Sequence, residues 1–329
     1  MTVAMRLAAV ALAAALLAGC GYEDTPLPEE PEASAATSAP DCETPDESGT
    51  DPVASYHPGE GVPTGPKLDE IRARGRLIVG VSADTYLMAS ENPEEGNRIE
   101  GFDIEFAKEI GSAIFGSDFN AGRNLELRVI TASQRIPLLT AGDLDLVIRN
   151  FTINSQRWGC IAFSAEYYHS GQKVLVGASL ADDDEENGEY RDPSDLAGLR
   201  VCAPTGSTSL VNIEEAEPDA KIEPAVNHTG CLVKFQRGEV DAITGDDTVL
   251  AGLAAQDPYA VVPDQEPLSD EPYGIGANQE DIDLVRFVNY VLAEMRDGEW
   301  EAAYERWLQP VLDPEGDDDV VQPTPTYGR

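Results

Sequence analysis

Arg135, Arg149 and Arg157 lie close together in a chain with 61 acidic residues and only 22 lysines and arginines. Cations gathered in an anionic protein suit a small anion, because a guanidinium can fork onto a carboxylate through two parallel hydrogen bonds. Taken singly, each arginine is equally well read as a surface salt bridge. Hydroxyls, amides and carboxylates stand at comparable points along the chain: Ser82, Asp84, Asn150, Thr152, Ser207, Thr208 and Asp246. Any one of them alone reads as a helix cap. Together they are an inventory suited to a free amino acid. Arg157 would take the α-carboxylate. Backbone N–H groups near Thr152 and Thr208, with the Thr208 hydroxyl, would complete its shell. Asp246 would pair with the α-ammonium, and Tyr86 and Phe102 would wall the cleft.

The elements that must position these groups alternate between strand and helix. Leu77 to Val81 reads as a buried strand ending at Ser82-Ala83-Asp84, and Asp103 is placed to cap the next helix, whose Ile104, Ala107, Gly111 and Ile114 share a face. Strands are expected at Leu125–Thr131, Leu144–Asn150, Lys173–Val176, Leu199–Ala203, Asp241–Thr244 and Tyr273–Gly276, with a short helix at Ile136–Leu139. Helices are also expected at Cys231–Gln236, Val249–Ala255 and Ile282–Arg296, and a last one carries Trp300, Tyr304 and Trp307 as core aromatics. This alternation predicts a parallel α/β sheet, and ligands of open sheets bind beyond the carboxyl ends of the strands. The polar candidates fall there.

Residues 1–20 read as a leader, with Arg6 followed by an apolar run from Leu7 to Ala18 that is too short to span a bilayer. Residues 21–66 hold 11 acidic residues and no Lys or Arg, are rich in proline, and read as a disordered tether. Residues 313–329 read as a disordered acidic tail. The net charge of −39 disfavours nucleic acid and anionic lipid as partners. Four cysteines follow Cys20, and three pairings are open. Cys202 with Cys231 is the expected pair, because one closes a strand and the other opens a helix nearby, which leaves Cys42 for Cys160.

Enzyme signatures are lacking. His57, His169 and His228 are scattered, His228 reading as a loop residue, and no HExxH, Gly-x-Ser-x-Gly or CxxC motif occurs. No cofactor or metal is expected, and a monomer is.

Leu17-Ala18-Gly19-Cys20 resembles the bacterial lipobox, which implies acylation at Cys20 and a position on the outer side of the cell membrane. From about Lys67 to Leu312 the chain resembles family 3 extracellular solute-binding proteins, the amino-acid receptors of ABC importers. The resemblance is carried by Gly101-Phe102-Asp103-Ile104-Glu105-Phe106-Ala107, Arg135-Ile136-Pro137-Leu138-Leu139 with Gly142-Asp143-Leu144-Asp145, and Asn150-Phe151-Thr152-Ile153 with Arg157. Phe163-Ser164-Ala165-Glu166-Tyr167-Tyr168, Ala203-Pro204-Thr205-Gly206-Ser207-Thr208-Ser209 and Val240-Asp241-Ala242 extend it. Ala83-Asp84-Thr85-Tyr86-Leu87-Met88 and Thr244-Gly245-Asp246-Asp247-Thr248 look most like actinobacterial glutamine/glutamate-binding lipoproteins.

The resemblance implies a type II, Venus-flytrap fold: lobe one from residues 67–171 and 276–312, lobe two from 172–275, with crossings near Gln172-Lys173 and Gly274–Gly276. It assigns the carboxylate to Arg157, helped by Thr152 and Thr208, and the ammonium to Asp246, with Asp247 as substitute. An arginine at position 135 resembles members that bind acidic side chains, and Arg149 is a second candidate. Glutamate is therefore expected first, then aspartate or glutamine. The alternative for Arg135 is an ion pair with a cleft carboxylate such as Asp84. The implied partner is an ABC permease. A membrane sensor, or a dehydratase or lyase using Asp84, are the alternatives.

Overall fold

The computed structural model describes Cys42 and residues 50–181, 190–316 and 320–329. The leader, Cys20, most of the tether and the acidic loop beginning at Asp182 lie outside the described residues.

Leu77–Val81 is buried at all five positions, as an unbroken Leu-Ile-Val-Gly-Val run requires of an interior strand. It lies inside a five-stranded sheet in the order Leu125–Val129, Leu77–Val81, Leu146–Val147, Gly276–Asn278, Ile161–Phe163. A second sheet runs Lys221–Ile222, Arg200–Cys202, Ala242–Asp246, Tyr168–Gly177, Ala260–Val261, and Ser269–Tyr273 also pairs with Tyr168–Gly177. Alternate residues of the second sheet serve two cores: Val174, Val176, Val201 and Ala242 face one, Leu175, Cys202 and Ile243 the other. That is the period-two pattern of a sheet covered on both faces. The molecule is thus a two-lobed α/β protein.

The sheets are mixed rather than parallel. Leu77–Val81 is parallel to its neighbours, whereas Gly276–Asn278 runs antiparallel in the first sheet and Tyr168–Gly177 antiparallel in the second. These exceptions are where the chain passes between lobes. It leaves the first sheet at Phe163 and joins the second at Tyr168. It returns after strand Ser269–Tyr273 and re-enters the first sheet at Gly276. The first passage therefore precedes Gln172-Lys173, which pair with Asp246 and Gly245 inside the second sheet. The single strand expected at Tyr273–Gly276 is two strands. Gly274 separates them, packed so tightly that an added Cβ would lie 2.6 Å from Ile153 Cγ1.

Two further expectations change. Gly101, with φ +139°, stands at the N-cap of helix Phe102–Phe115, and Asp103 turns into the core. Helix His228–Gln236 starts three residues before Cys231, because the Asn227 side chain caps it by accepting the Gly230 N–H at 2.8 Å.

Both segments read as disordered hold ordered parts. Ser55 pairs with Tyr327 in a parallel bridge, and the Ser55 hydroxyl is buried, donating to Phe163 O at 2.7 Å. The Arg329 guanidinium lies 3.8 Å from the centre of the Trp158 ring, and Trp158 Nε1 donates to Pro52 O. Composition misleads here because these segments form no core of their own. They pair through backbone and dock single side chains on the first lobe.

Disulfides join Cys42 to Cys160 and Cys202 to Cys231. The latter closes a loop with a separation of 29 residues in sequence. By the chain-entropy argument such a link stabilises by roughly 3–4 kcal/mol. The double replacement Cys202→Ala/Cys231→Ala is expected to lower the unfolding free energy by about that amount in guanidinium titrations monitored by circular dichroism.

Candidate functional site

Four segments converge between the lobes: the start of helix Arg135–Thr140, residues 149–157, the turn and first residues of helix Thr208–Ala216, and the end of strand Ala242–Asp246. They line two adjoining cavities. One, of about 320 Å³, is lined by Arg135, Phe151, Arg157, Ser207 and Thr208 among others, with Cys42 at its wall. The other is only about 20 Å³ and is lined by Arg135, Arg149, Asn150, Thr152, Ser207, Thr208, His228 and Asp246. The lobes meet closely at this seam. Gly206 has φ +80°, and a Cβ there would fall 2.8 Å from Ser133 Cα of the opposite lobe.

All three arginines are buried. Arg157 sits in the short helix Ser155–Trp158, opened by the Asn154 cap. Its Nη1 donates to Thr152 O at 2.5 Å, and its guanidinium lies 4.8 Å from the Phe151 ring centre. Burial pushes it down to about 10, while Glu271 and Asp246 favour its charge. Arg135 packs on the same ring at 4.3 Å. Its donors go to carbonyls: Ala132 at 2.9 Å, Arg149 at 3.3 Å and Asn150 at 3.4 Å, and Gly206 of the second lobe at 3.1 Å. Burial and then the charges of Arg157 and Arg149 hold Arg135 well below the usual arginine range. It does not form the ion pair with Asp84 considered above. Arg149 is the arginine on which Asp84 and Asp103 act, against a lowering by burial.

Among the described residues, five buried side-chain polar atoms lack a hydrogen-bond partner, and three are candidates here: Asp84 Oδ2, Arg149 Nε and Asn150 Oδ1. An unpaired buried donor costs about 1–3 kcal/mol, so these atoms mark where a ligand is best received. Arg149 differs from Arg135 in this respect, since Arg135 Nε donates to Ala132 O.

Asp246 is buried, accepting from Tyr273 Oη at 2.7 Å and, more weakly, from Ser209 Oγ at 3.4 Å. Burial, then the nearby Glu271 carboxylate, raise it to about 7, with Asp247 adding and Tyr273 and Asn150 opposing. Asp247 is no substitute. It accepts from Ser170 Oγ and the Thr248 N–H and lines a separate cavity with Tyr168, Lys173 and Tyr304.

Other expected residues are placed differently. Phe102 is fully buried among Phe106, Tyr167, Tyr168 and Trp300, so it is core and not a cleft wall. Tyr86 is 46% exposed and borders neither cavity; its carbonyl lies against Gly252. Ser82 is spent on Asp84 Oδ1 and Thr85 Oγ1, both at 2.8 Å. Ser207 caps its helix by accepting from the Leu210 N–H and donates to Pro204 O. The Thr152 and Thr208 hydroxyls both donate to Glu271 Oε2, at 2.5 and 2.8 Å, so the Thr208 hydroxyl is not the ligand donor expected of it. In the first turn of helix Thr208–Ala216 the Leu210 N–H goes to Ser207 Oγ, which leaves the Thr208 and Ser209 N–H groups without an intrahelical acceptor.

Three residues stand at the site in places that the sequence did not give them: from it His228 reads as a loop residue and Asp103 as a helix cap, and Glu271 has no reading. His228 lines the small cavity. Burial and the Arg149 charge press it down to about 4, so it is neutral at pH 7, with Nε2 3.3 Å from Thr244 O. The Asn227-x-x-Gly230 cap would have revealed its place on a helix. Glu271 precedes the strand start expected at Tyr273. Asp103 accepts the Asn150 N–H at 3.0 Å and the Tyr167 hydroxyl at 2.7 Å, and so holds Asn150 in a left-handed conformation of φ +34°.

Burial raises Asp103 to about 6, with its two hydrogen bonds opposing. The folded state then binds this proton more tightly than the unfolded chain, so the contribution is full below the ordinary carboxyl range and is lost as pH rises through about 6. Relative to Asp103→Asn, the wild type is expected to lose about 1 kcal/mol of stability between pH 5 and 7.5, read from thermal melts across that range.

A model of the bacterial extracellular solute-binding proteins, family 3, matches residues 77–310. The ABC transporter glutamine-binding protein GlnH of Bacillus subtilis is 32% identical over 245 residues, spanning 74% of this chain and 84% of that protein. The glutamate-binding protein GluB of Corynebacterium efficiens is 28% identical over 260 residues, spanning 77% and 83%. The structure of holo ArgBP from T. maritima superposes with a TM-score of 0.62 at 30% identity, covering 73% of this chain and 98% of that one. The chain belongs to the family 3 extracellular solute-binding proteins.

Proposed function

We propose that this solute-binding protein holds a free acidic amino acid between its lobes, glutamate before aspartate, and delivers it to an ABC permease. Arg157 and the N–H groups of helix Thr208–Ala216 take the α-carboxylate, and Asp246 takes the α-ammonium. The observation that carries the choice of side chain is the set of three buried guanidiniums, of which Arg149 lines the same small cavity as Asp246 and has a buried Nε without a hydrogen-bond partner. A ligand carboxylate there satisfies that donor and relieves the repulsion that lowers Arg135. Glutamine is the second reading, favoured by the B. subtilis relative's name. That name also supports delivery to a transporter.

The reading extends to a lipid anchor at Cys20, which rests on the Leu-Ala-Gly-Cys motif. Among the described residues no helix is long and apolar enough to cross a membrane. We read the chain as a receptor rather than an enzyme, and glutamate incubated with it should be recovered unchanged.

Truncating one partner of a buried charge pair costs roughly 2–5 kcal/mol. Arg149→Gln is therefore expected to weaken glutamate at least about thirtyfold and glutamine only severalfold in isothermal calorimetry. Equal losses would refute the side-chain assignment. An ammonium pairs only with ionised Asp246, whose proton is held to about pH 7 by burial and Glu271. Glutamate affinity is expected to fall as pH drops below about 7, approaching tenfold per unit, and titrations at pH 8, 7 and 6 check this.

A further inference from the structure

Glu271 is 1% exposed and has no part in the amino-acid contacts above. It lies on strand Ser269–Tyr273, just before the chain returns to the first lobe. Four side chains satisfy its carboxylate. Oε2 accepts from Thr152 Oγ1 at 2.5 Å and Thr208 Oγ1 at 2.8 Å, and Oε1 accepts from Ser269 Oγ at 2.7 Å and Asn212 Nδ2 at 3.0 Å. Thr152 follows the first lobe's strand Leu146–Val147, whereas Thr208 and Asn212 stand on helix Thr208–Ala216 of the second. The two threonine hydroxyl oxygens are 3.3 Å apart, one on each side of the seam.

We propose that Glu271 is an interlobe latch, whose carboxylate draws Thr152 of one lobe and Thr208 of the other onto a single oxygen and so sets how readily the cleft stays shut. This rests on the reading that the lobes open and close around an amino acid. Opening must part the two hydroxyls and take at least one from Oε2, where a charged acceptor makes each bond stronger than a neutral one. Each hydroxyl has one proton, and both protons are given to Glu271. The latch therefore acts whether or not an amino acid is bound. It also leaves a bound carboxylate to Arg157 and the backbone N–H groups. A receptor whose closed form is favoured beforehand gives up less affinity to the closing step.

Spin labels at Val129→Cys in the first lobe and Tyr259→Cys in the second, both exposed positions, report the lobe separation by pulsed electron resonance. Without added amino acid, Glu271→Ala and Thr152→Val, which removes the hydroxyl that reaches Glu271 from the first lobe, are each expected to lower the closed-to-open ratio roughly tenfold, with Kd for the amino acid rising by a similar factor. Ser269→Ala removes a donor on Glu271's own strand and is expected to keep the wild-type distances. Wild-type distances in either folded latch variant overturn the proposal, and Thr152→Val alone decides it if Glu271→Ala does not fold. If the unmutated protein binds no amino acid, the proposed function fails, while the distance comparison still decides the latch.

Discussion

Three guanidiniums buried side by side are the constraint to which the rest of the cleft answers. Desolvation works against all three, and the charges of Arg157 and Arg149 work further against Arg135, so each needs compensation from fixed dipoles or carboxylates. Arg135 finds it in four backbone carbonyls, and Arg157 in the Thr152 carbonyl. Both also lie against the Phe151 ring. Asp246 and Glu271 supply negative charge to Arg157, and Asp84 and Asp103 to Arg149. Burial, and then the competing Glu271 carboxylate, is why Asp246 keeps its proton to about pH 7.

This balance accounts for otherwise separate features. Asn150 has a positive φ because Asp103 holds its N–H from below, and that turn aims the Arg149 and Asn150 carbonyls at Arg135. Gly206 lacks a side chain where the second lobe brings its carbonyl to Arg135 and its Cα to Ser133. Arg135 is thus a seam residue with Nε, Nη1 and Nη2 all on carbonyls, and Arg149 carries a buried Nε without a partner. The sequence put Arg135 first and Arg149 second for a ligand side chain; the buried donor without a partner is on Arg149.

Much of the fold was legible. Unbroken apolar runs such as Leu77–Val81 marked interior strands, and the spacing of Leu284, Phe287, Val288 and Val291 marked a packing helix. The pair Cys202–Cys231 followed from where its elements ended, and Cys42–Cys160 was what that choice left. What stayed hidden depended on tertiary pairing. The ordered pieces at 50–66 and 320–329 bury few side chains, so composition gave no sign of them. Phe102 after a glycine could be wall or core, and only the aromatic cluster around it decides. Glu271 stands in an extended stretch without apolar alternation, and its role arises from hydroxyls that are 63 and 119 residues away in the chain.

The central claim is that the cleft grips a zwitterion, its carboxylate at Arg157 and its ammonium at Asp246. Calorimetric titration of the unmutated protein with L-glutamate and with glutarate, which keeps both carboxylates but lacks the ammonium, tests it most directly. The account predicts saturable binding of L-glutamate and at least about a hundredfold weaker binding of glutarate, because Asp246 would then face a buried ligand with no cation to meet it. Equal affinity for the two would contradict it.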